Sequence, residues 1–156
     1  MTLPVFLAGS GKLRGDNAVA ALLVLADGRY VMQLRDPLPN IFYPDHWGCF
    51  GGAVNAGEDP LAGLYRELRE ELEVEFGGAR EFTRFDFDLR LIGKNQQRVY
   101  RIYYTVPVSE QDFSRCVLHE GAELRAFTGA EILIQPRVTP YDAFAIWLHL
   151  HQPRFA

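Results

Sequence analysis

Residues 51–76 read GGAVNAGEDPLAGLYRELREELEVEF. Seven of them are acidic (Glu58, Asp59, Glu67, Glu70, Glu71, Glu73 and Glu75), against two arginines, Arg66 and Arg69. Asp59 followed by Pro60 reads as the start of a helix: a side-chain acceptor for the first free N–H groups, then a residue whose missing N–H is not needed there. On a wheel turning about 100° per residue, Leu61, Tyr65, Leu68 and Leu72 fall within a stripe about 60° wide, which is predicted to face the core. Glu67, Glu70 and Glu71 occupy an arc of about 100° whose centre lies about 140° from that stripe. Their i, i+3 and i, i+4 spacing makes them neighbours, and like charges so placed destabilise a helix by roughly a few tenths of a kcal/mol per pair. This pattern alone leaves two readings open. One is a solvated acidic face that tolerates the repulsion; the other is a set of oxygen ligands for a hard cation such as Mg²⁺ or Mn²⁺. The glycine turn before the helix favours the second, because it can bring backbone N–H and carbonyl groups to the same spot.

Upstream, NAVAALLVLADGRYVMQLRD (17–36) reads as two strands around the hairpin dipeptide Asp27-Gly28. The first arm, 18–25, is almost continuously apolar, as a strand buried on both faces would be. Pro37, Pro39 and Pro44 make the next stretch a loop, and 47–54 reads as a short strand running into the glycine turn. Downstream, FTRFDFDLRLI (82–92) and QRVYRIYYTVPV (97–108) alternate as two strands joined by GKNQ. A polar connector with one helical turn (109–116), a short strand ELRAF (123–127), a helical GAEILI (129–134) and an amphipathic helix TPYDAFAIWLHLH (139–151) complete the chain. Helices interleaved with antiparallel hairpins imply an α/β fold with a mixed sheet. No repeat or linker divides residues 1–156, so a single domain is expected.

The composition is that of a globular protein, 48% hydrophobic and 23% charged. A net charge of −4 offers no basic footprint for nucleic acid. No apolar run approaches the roughly 18 residues that span a bilayer, and the N-terminal MTLPVFLAGSGKLRG lacks the charge and apolar pattern of a secretory leader. Cys49 and Cys116 have no CxxC spacing and read as reduced thiols; a cytoplasmic location is expected. GSGK (9–12) lacks the spacing of a phosphate loop, and His46, His119, His149 and His151 form no HExxH pattern.

Gly52, Glu58, Arg66-Glu67-Leu68, Glu70-Glu71 and Val74 stand at the spacings of the pattern GX5EX7REUXEEXGU, with U aliphatic. These 23 residues resemble the Nudix box in every fixed position except the last glycine, where Glu73 stands. The order of strands around them is also similar to the Nudix α/β/α sandwich. Glu73 falls at the helix exit, where glycine permits a left-handed cap, so the departure bears on the turn more than on the carboxylates.

The resemblance implies roles. Gly52 would offer a backbone carbonyl to the metal, Glu70 and Glu71 would be ligands, and Glu67 either a further ligand or the base that activates water. Glu58 and Arg66 would brace the loop against the helix. Glu120, followed by glycine, would reach the site from outside the box, with Glu123 nearby. The implied reaction is attack of water on a nucleoside diphosphate linked to another moiety, with Mg²⁺ or Mn²⁺ as cofactor. The alternative is a noncatalytic Nudix-like module that binds nucleotides or a protein. The expected partner is a small nucleoside diphosphate derivative, with no nucleic acid and no membrane, and a homodimer is compatible with the sequence. For the substrate, Arg35, Trp47 and Phe50 are the expected contacts; Tyr43, His46, Lys94 and Arg98 could add stacking or charge, though aromatic residues at strand ends also serve the core.

Overall fold

Strand β1 (Asn17–Leu25) lies inside the sheet, and its continuous apolarity follows from that place. Val19, Ala21, Leu23 and Leu25 point into one core, and Ala20 and Leu22 into a second on the opposite face. The computed structural model of the chain describes residues 17–88 and 98–154. One edge of β1 pairs in parallel with β5 (Arg98–Val108) along its whole length. The other edge is shared. Its end takes the antiparallel strand β2 (Tyr30–Leu34) across the expected hairpin, where Gly28 has φ +89°. Its start takes residues 50–53 through Val19 N–H to Gly52 O (3.0 Å) and Ala21 N–H to Phe50 O (2.8 Å). The regular strand β3 is only Trp47–Gly48, because the chain then leaves β2 for β1 at the glycine turn. β4 (Arg80–Asp88) borders β5, and β6 (Glu123–Phe127) pairs along all of β2.

Helix α1 (Pro60–Leu72) covers one face. Asp59 caps it as expected, its carboxylate accepting from Leu61 N–H (3.0 Å) and Ala62 N–H (3.1 Å). Leu64, Leu68 and Leu72 are at most 1% exposed, each stabilising the fold by about 1.5–3 kcal/mol. The predicted stripe is therefore shifted: Leu61 and Tyr65 are only half-buried, and Leu64 and Glu71 join the buried side. After α2 (Glu110–Arg115), the chain passes the end of α1, where Val117 N–H and His119 N–H donate to the free carbonyls of Leu72 and Glu71 (both 3.0 Å). Helices α3 (Gly129–Ile134) and α4 (Pro140–His151) cover the other face through Ile132, Ala145 and Ile146. The result is a mixed sheet between helical layers, the expected α/β/α sandwich.

One polar cluster sits in this second layer. The Asp142 carboxylate, 1% exposed, accepts from Thr139 Oγ1 (2.6 Å), Tyr103 OH (2.7 Å) and Cys49 N–H (2.9 Å). It also lies 3.8 Å from Arg101. A buried carboxylate is tolerated here because its lone pairs are taken and a cation is near.

Candidate active site

The site begins at the glycine turn. Gly51 has φ +134°, and a Cβ there would run into the Val19 carbonyl, so glycine lets residues 50–53 lie against β1. At Gly52 a Cβ would sit 2.5 Å from the carboxyl carbon of Glu67. The missing side chain is the space in which Glu67 lies. One lone pair of the Gly52 carbonyl already accepts from Val19 N–H, which leaves the other.

Arg66 ties this loop to α1. Its Nε and Nη2 donate to the two oxygens of Glu58 at 2.8 and 3.0 Å, a bidentate pair, and Nη2 also donates to Ala53 O at 3.0 Å. Glu58 Oε2 accepts further from Asn55 N–H (2.9 Å), and the Cβ position of Gly63 is only 3.0 Å from it. The guanidinium beside it, with that N–H, holds the Glu58 carboxyl down to about 2. The expected brace is therefore formed. Arg66 Nη1 reaches on to Glu67 (2.6 Å) and, at 3.4 Å, to Glu70.

The three helix glutamates, which share one arc on the wheel, occupy three different environments. Glu70 is 60% exposed. Glu67 is 18% exposed; burial raises its carboxyl, against the lowering effect of Arg66 and with the charges of Glu70 and Glu120 adding to the rise. Glu71 is buried at 4%. Its Oε2 accepts from Gly51 N–H at 2.9 Å and its Oε1 from Gln33 Nε2 at 3.3 Å. Burial outweighs these bonds and, with the charges of Glu120 and Glu67, pushes its carboxyl up to about 8. Glu120 itself is exposed, on the loop that caps α1, near enough to act electrostatically on both. Glu123 instead pairs with Arg125 on β6 at 2.8 Å.

Among the described residues, no group of three or more acidic, histidine or cysteine side chains converges closely enough to hold a metal ion. Arg66 lies between Glu67 and Glu70 instead. The donor chemistry nonetheless fits a hard cation. The donors are all oxygen, and a buried carboxylate has two further carboxylates acting on it, an excess of negative charge that a cation offsets.

Two substrate contacts expected from the sequence are corrected. Phe50 is 0% exposed and packs in the core under α1, and Trp47, at 5%, packs edge-on against Phe127 at 4.8 Å between ring centres. Neither ring has a face free for a base, because each belongs to a segment that pairs with the sheet and points inward. Arg35 is half-buried, its Nε donating to Phe42 O at 2.8 Å. Tyr43 and His46 pack on each other in the same loop (5.4 Å), and Tyr43 and Phe42 pack on Tyr141. Lys94, the side chain of Arg98 and residues 9–12 lie outside the described residues. Glu75 pairs with Arg69, and Glu73, left-handed at φ +56°, pairs with His119. Gln33 and Gly51 escape a reading of motifs. The available signal for Gln33 is one polar residue closing the apolar run Tyr30-Val31-Met32.

Known proteins share this architecture. A model of the NUDIX domain matches residues 16–148. An RNA pyrophosphohydrolase of Gluconacetobacter diazotrophicus is 32% identical over 90 residues, 53% of this chain and 54% of that protein. The chain thus matches about half the length of that curated relative. The MutT protein of Methanosarcina mazei Go1 superposes with a TM-score of 0.69 at 19% identity, covering 90% of this chain and 95% of that one. The NUDIX domain of Shewanella oneidensis NrtR, complexed with ADP ribose, gives 0.67 at 18% identity over 100% of both.

Proposed function

The chain belongs to the Nudix family, and from that premise we propose that it is a divalent-metal-dependent pyrophosphohydrolase acting on a nucleoside diphosphate linked to another moiety. The observation that carries this reading is the buried carboxyl of Glu71 on α1, held by Gly51 N–H of the glycine turn and within the fields of Glu67 and Glu120. Ionising a carboxyl buried in this way costs free energy, and a functional cation that offsets the cost accounts for its retention.

Glu70, Glu71 and the Gly52 carbonyl are the groups to hold Mg²⁺ or Mn²⁺, with Glu67 as a further ligand or as the base. When bound, the ion supplies charge neutralisation at the diphosphate oxygens and a more acidic water. Glu67 suits proton acceptance because its half-buried carboxyl is raised toward the working pH. Glu58 does not take part in proton transfer, since its charge is committed to Arg66; the pair holds the loop and the helix in register, which is the positioning on which phosphoryl chemistry depends. Glu120 can add a carboxylate from its loop, and Arg35 can meet a phosphate. A soluble nucleotide derivative is supported by the ADP ribose held by the NrtR domain, and the named activity of the Gluconacetobacter relative adds RNA ends to the substrates worth testing.

The test is incubation with Mg²⁺ or Mn²⁺ and a panel: nucleoside triphosphates, ADP-ribose, NADH, nucleotide sugars, dinucleoside polyphosphates and a 5′-triphosphorylated RNA oligonucleotide. Metal-dependent release of a phosphate-bearing product from one class, lost in Glu71→Gln while the fold is kept, is the expected result. No turnover across the panel, with nucleotide binding retained, would instead make this a noncatalytic binding module.

A further inference from the structure

Gln33 is a buried polar residue beside the candidate site whose chemistry the proposed reaction leaves unused. It lies on β2, two residues beyond Val31, which packs into the core beneath α1. An apolar side chain would continue that core, yet the position holds a primary amide that is 5% exposed. A buried amide costs about 1–3 kcal/mol unless its groups find partners, so its partners identify its role.

Those partners lie on two separate elements. Nε2 donates to Glu71 Oε1 at 3.3 Å, and Glu71 Oε2 is held from the other side by Gly51 N–H at 2.9 Å. The carboxylate is thus fixed between β2 and the glycine turn, with one donor on each oxygen. The opposite end of the amide, Oε1, abuts the turn after Glu120. A Cβ on Gly121 would be 2.8 Å from Oε1 and 2.8 Å from Leu34 O. Gly121 has φ +93°, its N–H donates to Asp36 (3.1 Å), and the next N–H, of Ala122, donates to Leu34 O (2.8 Å). The loop that carries Glu120 is therefore seated directly against the amide that holds Glu71.

We propose that Gln33 is a positioning residue that fixes the Glu71 carboxylate for the metal and sets the Glu120 turn beside it. The role rests on the hydrolase reading above. A carboxylate with one donor on each oxygen keeps lone pairs free in a fixed direction; without the amide only Gly51 N–H holds it, by one oxygen. Outer partners that orient ligands in this way typically change metal affinity by about 10- to 100-fold when removed.

The experiment uses Gln33→Met, which keeps the volume and removes the donor, with Gln33→Leu as a second variant. Mn²⁺ binding is measured by titration calorimetry, folding by melting in chelator, and turnover as a function of Mn²⁺. The expected result is Mn²⁺ bound about tenfold more weakly, with the metal-free melting temperature held or raised, and a kcat deficit that shrinks as Mn²⁺ increases. A purely structural role would lower the melting temperature and leave Mn²⁺ affinity unchanged. Affinity within about twofold of the parent protein in the variant that folds overturns the proposal, measured against the expected tenfold loss. Failure of the parent protein to bind Mn²⁺ overturns the hydrolase reading and this role with it.

Discussion

Replacing Glu71 by glutamine should remove the loss of stability that the metal-free protein undergoes through Glu71 as pH rises from 4.5 to about 8. Burial raises the Glu71 carboxyl from 4.5 to about 8, so the fold prefers the neutral form. The unfolded chain gives up that proton near 4.5. The stabilisation is therefore complete below that pH and is lost progressively as pH rises to about 8. An interval of roughly 3.5 pH units, at about 1.4 kcal/mol each, sets an upper bound of about 5 kcal/mol. Relaxation and water entry around the ionised carboxylate reduce this, and about 2 kcal/mol is a working figure. For a chain of this size that is about 4–8 °C in melting temperature. Glutamine keeps the shape and an acceptor for Gly51 N–H but does not ionise. Melting curves in chelator at about pH 5 and about pH 8 should show the parent protein losing this margin and Glu71→Gln keeping it, apart from a smaller slope due to Glu67. Added Mg²⁺ at the higher pH should raise the parent protein more than the variant, because the ion binds only the folded site. An unchanged pH slope in Glu71→Gln would refute the assignment of the buried carboxylate as its source.

Further outcomes can be checked on other residues. Gly52→Ala places a methyl group in the space of the Glu67 carboxylate; kcat/KM should fall about 10- to 100-fold in the assay identified by the substrate panel, with little change in melting temperature. Asp142→Ala removes the shared acceptor of Thr139, Tyr103 and Cys49 and leaves Arg101 buried without its carboxylate; urea denaturation should show a loss of about 3–5 kcal/mol, and Asp142→Asn a smaller one. Glu73→Gly relieves a left-handed residue at φ +56° but loses the exposed pair with His119. Its calorimetric melting temperature should rise by up to about 3 °C, whereas β-branched Glu73→Val should lower it. A valine variant that melts above the glycine variant would contradict the strained-cap account.

What local sequence could show, it showed well. Asp59-Pro60 marks a helix start because capping is a contact within one turn, and the Asp27-Gly28 hairpin has an equally local cause. The Glu58–Arg66 brace was readable only through the resemblance to the box, since its partners are eight residues apart on a loop and a helix. Trp47 and Phe50 misled because an aromatic residue beside a glycine turn has the same spelling whether it lines a cleft or fills a core. Which it does depends on the short pairing of 47–53, first with β2 and then with β1.

By itself the sequence determined the mixed α/β fold, the acidic helix and the set of carboxylates from which a metal site could be made. Only the tertiary structure decided what each carboxylate is. Helical spacing states which residues are neighbours around an axis, but not which sector of that axis the sheet covers. Here the sheet covers Glu71 and leaves the adjacent Glu70 in solvent. Arg66 and the space above Gly52 hold Glu67 between those extremes. The difference in chemistry among three identical side chains comes from desolvation, which depends on packing between elements distant in the chain.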